Sequence, residues 1–196
     1  MRIPFVSPLL LLLAPVIGLM AGCSIQSSVK PVEVLDERTG LTLASLEQPI
    51  ELLPTAQSAA LSFGKRTTFT YLGPVEWNRM GTIGYGLWVH IAPGNDSPAG
   101  DIHAPGAVTL VLDEGPLSLS VIEMPTLGHD PYPPVVAWGQ TAYFELTVDT
   151  LKKMAASQKM ELDVRAADDS TLKFFASHDT RPALAAYVHD RGITDD

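Results

Sequence analysis

Only one cysteine, Cys23, occurs in 196 residues. An intrachain disulfide and a multi-thiolate metal site are therefore excluded. Positive charge is scarce. Lys and Arg number 13 against 22 Asp and Glu, for a formal net charge of −9. Phosphate recognition needs clustered Lys and Arg, so nucleic acid is not expected as a partner, and docking onto anionic headgroups is disfavoured. There is no G-x-S-x-G elbow of the kind that presents a nucleophilic serine between a strand and a helix. Ser118 and Ser120 alternate with Leu117 and Leu119, which a strand explains. Gly81-x-x-Gly84-x-Gly86 precedes a predicted strand, whereas phosphate loops follow a strand and open a helix. No internal repeat or low-complexity block is present.

What the chain does have is a distinctive beginning. Arg2 is followed by an almost wholly apolar run from Ile3 to Met20, with a leucine block at Leu9–Leu13 and the small pair Ala21-Gly22 before Cys23. This is the order of a secretory signal. The run approaches the ~20 residues of a membrane-spanning helix. However, Pro4, Pro8 and Pro15 interrupt it, and no charge cluster follows. A plain cleavable signal, with Cys23 incidental, is the other alternative.

Leu19-Met20-Ala21-Gly22-Cys23 resembles a bacterial lipobox, with Met20 standing where Leu is more usual. The resemblance covers about the first two dozen residues. It implies a thioether-linked diacylglycerol on Cys23, cleavage before it and acylation of the new amino terminus. Ser24, rather than Asp, implies export to the outer membrane. Two or three acyl chains at ~0.8 kcal/mol per buried methylene hold a protein where one chain is marginal. Once lipidated, Cys23 leaves no thiol nucleophile. Loss of residues 1–22 removes one arginine and no acid, leaving 174 residues with a formal charge of −10, enough for one domain.

Residues 23–31 read as the lipidated cysteine and a polar tether, and 32–196 as a single β-rich domain. Gly and Pro, at 15 and 16 copies, mark many turns. Strands are predicted at Leu41–Leu46, Ile50–Leu53, Lys65–Leu72 (bent at Gly73-Pro74 and continued over Val75–Trp77), Tyr85–Ile91, Ala107–Leu112, Leu117–Glu123, Thr141–Thr147, Met160–Arg165 and Thr171–Ala176. Ala56–Gly64 fits neither period. A short helix is predicted after an Asp149 cap with Leu151, Met154 and Ala155 on one face. A second follows a cap at Asp179 or Thr180, with Leu184, Tyr187 and Val188 as its stripe and Gly192 as its stop. The expected fold is mainly β, an antiparallel β-sandwich (an immunoglobulin-like arrangement is one form), with two short helices in the last third. The run from Tyr71 to Trp88 is faintly similar to uncharacterised exported bacterial proteins, which brings no function.

The candidate metal ligands are Asp96, Asp101 and His103, in the long loop Ala92–Pro105. On an extended segment, Asp101 and His103 would point the same way. Ordinary turn chemistry explains the same residues and is the preferred reading. His129-Asp130 precedes Pro131 as a turn former would, His178-Asp179 sits at a helix cap, and His189 suits a helix C-terminus. His90 is read as an exposed strand residue. Among the aromatics, Trp77, Tyr85, Trp88, Tyr132 and Trp138, core packing is the commoner role. The candidate binding surface is Trp88, Tyr132 and Trp138.

No catalytic residue and no cofactor is implied. The expectation is a lipid-anchored cell-envelope protein, on the outer membrane and facing the periplasm, with a non-enzymatic binding or structural role toward an envelope protein or glycan. The alternatives are a metal-dependent envelope enzyme using the 96–103 loop, and an accessory subunit of an envelope transport or secretion machine.

Overall fold

A computed structural model describes residues 30–55, 68–94, 100–125, 127–128, 130–134, 136–176 and 181–193. Among these residues ten strands pair antiparallel throughout. They are β1 Pro31–Asp36, β2 Leu41–Leu46, β3 Ile50–Pro54, β4 Phe69–Arg79, β5 Thr82–Ala92, β6 Val108–Leu112, β7 Gly115–Ser118, β8 Gln140–Glu145, β9 Glu161–Arg165 and β10 Thr171–Ala176. Helix α1, Val148–Ala156, lies between β8 and β9, and α2, Arg181–Asp190, follows β10. The fold is mainly antiparallel β and sandwich-like, with both helices in the last third, as the sequence predicts. Among the described residues no helix is long and apolar enough to cross a membrane.

Strand β4 organises the sheet. One of its edges pairs with β5 along its full length, from Phe69↔Ala92 to Arg79↔Thr82. Pairing runs straight through Gly73↔Trp88 and Pro74↔Leu87, so Gly73-Pro74 does not end the ladder. The other edge is shared. β2 takes the second half of β4 (Thr42↔Asn78 to Ser45↔Val75) and β3 takes the first half (Ile50↔Leu72 to Leu52↔Thr70). β2 and β3 thus lie end to end, and the register slips by two residues between them. The slip falls opposite Pro74, whose missing N–H would otherwise interrupt a ladder.

From β4 the sheet runs one way through β5 to β8, and the other way through β3, β10, β9 and β6 to β7. The expected second hairpin strand, Leu117–Glu123, starts earlier at Gly115 and then changes partner. Leu119 N–H still donates to Val108 O at 3.3 Å. Just beyond it, Glu145 N–H donates to Ser120 O at 2.8 Å and Ile122 N–H to Tyr143 O at 2.9 Å. The segment after β7 therefore joins the two ends of the sheet, which closes over one apolar interior.

Side-chain alternation decides what faces inward. Leu72, Leu87, Val89, Ile91 and Phe144 from one half meet Leu52, Leu162, Val164, Phe174, Val108 and Leu110 from the other, and all are buried. The helices cap this interior with Leu151, Met154, Leu184 and Tyr187. The cap of α1 is Thr147, whose hydroxyl accepts the Thr150 N–H at 3.1 Å. Asp149, the predicted cap, sits instead in the first turn and pairs with Lys153 at 3.1 Å. The predicted cap of α2 and the ambiguous 56–64 stretch lie outside the described residues. The β4–β5 hairpin turns at Met80-Gly81, both with positive φ (53° and 89°), as a type I′ turn requires.

Candidate functional site

The outer face of β2, β4, β5 and β8 is covered by the chain between β7 and β8. The Asp36 carboxylate, at the end of β1, accepts N–H groups from Arg38 (3.1 Å) and Gly128 and the Thr39 hydroxyl (2.7 Å). These hydrogen bonds, with Thr39 contributing most, hold its carboxyl below the ordinary carboxylate range. Arg38 Nη2 donates to Leu127 O at 3.0 Å, so one end of the covering strap is tied to the β1–β2 turn. Its other end brings Gly139 against the His90 imidazole, where a side chain would overlap the ring.

Tyr132 holds the middle of the strap. Its hydroxyl accepts the Leu46 N–H at 2.9 Å and donates to Pro74 O at 2.8 Å. In an unbroken ladder those two backbone groups would bond to each other. The register slip after β2 parts them, and the phenol fills the gap. Gly73 is bare of a side chain at the spot the Tyr132 ring occupies. The ring packs on Trp88 (centroids 5.0 Å apart), and Trp88 stacks on His90 at 5.6 Å. Burial pushes the Tyr132 hydroxyl well above its ordinary value and the His90 imidazole below its own.

Two of the three predicted surface aromatics are therefore not on the surface. Trp88 and Tyr132 are each 1% exposed, because the strap covers the face that strand alternation alone leaves open. Trp138 is 63% exposed and remains a surface residue. His90, read as exposed, is fully buried, with Nδ1 2.9 Å from Thr141 Oγ1 and Nε2 without a partner among the described residues.

For Asp101 and His103 the structure has the turn that is the preferred reading of these residues. Asp101 and His103 are not on an extended segment. Asp101 Oδ1 accepts the His103 N–H at 2.9 Å, and Asp101 O accepts the Ala104 N–H at 3.1 Å, so they build a turn. Asp96, like Cys23, lies outside the described residues. Among the described residues no three His, Cys, Asp or Glu side chains converge to hold a metal.

A feature missed in the sequence is β1. It pairs with β2 without a bulge, from Pro31↔Leu46 to Asp36↔Leu41. Lys30 O accepts the Glu47 N–H at 2.9 Å, which fixes the parity of the ladder. Even-numbered residues of β1 turn their backbone groups to β2, and Pro31, Glu33 and Leu35 turn theirs outward. No described residue pairs with that outer edge. Beside it, Val32, Val34, Leu43, Leu46, Glu47 and Pro131 line a mainly apolar groove of about 220 Å³. Leu35 is 61% exposed on the opposite face. Arg191, just past α2, holds Glu33 at 2.6 Å and the buried Glu76 at 2.5 Å, fixing the strand from its inner side. The alternation Val32-Glu33-Val34 was the available signal for this strand, masked by its place at the end of a polar tether.

Compared with known proteins, the chain matches no family model, no curated protein and no solved structure.

Proposed function

We propose that this is a lipid-anchored protein of the bacterial cell envelope, on the outer membrane and facing the periplasm, with a non-enzymatic role in binding or supporting another envelope component. The reading rests on the lipobox-like Leu19–Cys23 together with β1, which begins only eight residues later and has an outer edge unpaired among the described residues. Eight extended residues reach at most about 28 Å. An acyl anchor on Cys23 would therefore keep that edge close to the membrane. An accessory subunit of a transport or secretion machine is the same proposal with a larger partner.

The anchoring half is tested by replacing residues 1–22 with an ordinary cleavable signal and changing Cys23→Ser. The native chain should remain with membranes through a carbonate wash and leave them in detergent. The altered chain should be released without detergent. Retention of the altered chain would overturn lipid anchoring.

A further inference from the structure

We propose that the outer edge of β1 is a strand-addition site for an extended segment of another envelope polypeptide, one that alternates apolar with basic residues. This deepens the binding role proposed above and rests on it. Exposed sheet edges are normally blunted by lysine, proline, a bulge, an inward-pointing charge or a cover. β1 has Pro31 at its first position, where it removes one outward donor, and one inner-face acid, Glu33. It contains no lysine, and its register with β2 is unbroken. That acid, at the centre of the strand, is held by Arg191.

The outward backbone sets the binding geometry. Glu33 and Leu35 each offer an N–H and a C=O, and Pro31 a C=O alone. An added strand bonded to them lays alternate side chains on the two faces of the sheet. On the outer face an apolar side chain meets Val32 and Val34 at the mouth of the groove. On the inner face the alternate, basic side chains lay their methylene stems along the exposed Leu35. The charges around the edge favour a basic segment. The hairpin from Lys30 to Glu47 carries Glu33, Asp36, Glu37 and Glu47 against Lys30 and Arg38, and Arg191 is shared between Glu33 and Glu76, which leaves an excess of acid at the edge.

The probe is a fluorescein-labelled peptide of alternating lysine and valine, Lys-Val-Lys-Val-Lys-Val-Lys, titrated by anisotropy into the full-length protein in detergent at 0.15 M salt, roughly physiological. A second peptide has the same sequence and charge but N-methylated backbone amides. The expected result is saturable binding of the first peptide and at least about tenfold weaker binding of the second, the loss of one to two hydrogen bonds. Leu35→Pro, which deletes an outward N–H and leaves the β2 ladder intact, should weaken the first peptide about as much, whereas Leu35→Thr should not. Equal binding of both peptides would mean charge alone and would overturn the proposal, on the unaltered protein and whatever Leu35→Pro does to folding. No binding overturns it too, while membrane retention of the native chain would leave the anchoring reading standing. A full-length dimer dissolved by Leu35→Pro would assign the edge to a second copy and overturn the proposed partner.

Discussion

The two halves of the closed sheet bury their strands differently. In β6, β9 and β10 burial alternates strictly. Leu162, Val164, Leu172 and Phe174 point inward, while Lys173 and Phe175 point to solvent. In β2, β4 and β5 it does not alternate, and β5 is buried without interruption from Gly86 to Ala92. The difference is the strap. A one-sided half needs only apolar residues at every second position. A two-sided half must also find partners for whatever polar groups the cover traps. The Tyr132 hydroxyl finds two backbone partners, whereas His90 Nε2 and Tyr143 OH find none among the described residues. The covered half is therefore where single substitutions should cost most.

The sharpest test pairs the outer-face aromatics of the two halves. Trp88→Ala should cost about 3–5 kcal/mol, as expected for a fully buried aromatic. Phe175→Ala, half-exposed on β10, should cost under about 1 kcal/mol. Urea denaturation of both variants checks the contrast, and similar losses would erase it. Next is Tyr132→Phe, which keeps the ring and deletes the hydroxyl. Leu46 N–H and Pro74 C=O are then both left unpaired, at about 1–3 kcal/mol each. A smaller effect is pH-dependent. Burial holds the His90 imidazole below 6.5, so the unfolded chain takes up a proton at a pH where the folded chain does not. That contribution is fully present above pH 6.5 and is lost as pH falls from there toward the folded value. The urea midpoint should drop over that window in the native chain and drop less in His90→Asn. Parallel slopes would exclude His90 as the cause. The smallest effect lies beyond the strap, at the hairpin tip. Met80→Asn places a residue that tolerates positive φ where methionine is strained, and should raise stability by about 0.5–1 kcal/mol, read as a higher melting temperature.

The same division explains what could be read from the sequence. The one-sided strands were legible because local alternation is the whole story there. Met160–Arg165 and Thr171–Ala176 were placed within a residue, and Leu184 and Tyr187 of α2 are buried as their spacing implies. In the two-sided half the same alternation misled. It put Trp88 and His90 on an open face because the cover comes from residues some forty positions away. The slot for Tyr132 arises from a register slip between β2 and β3, which no local pattern encodes. Asp101 and His103 do not share one face of an extended segment for a smaller reason. Their spacing suits an extended segment, but the aspartate closes a turn. β1 was passed over because a short alternating stretch next to a polar tether lacks the length to declare itself.

Amide exchange tests the proposed strand-addition edge of β1 most directly. In the full-length protein in detergent, residue-resolved hydrogen exchange should show Val32 and Val34 protected by β2, and Glu33 and Leu35 exchanging rapidly. The strand-addition peptide should then slow Glu33 and Leu35 alone. Equal protection of all four amides in the free protein would mean that the edge is already covered, and would contradict the account.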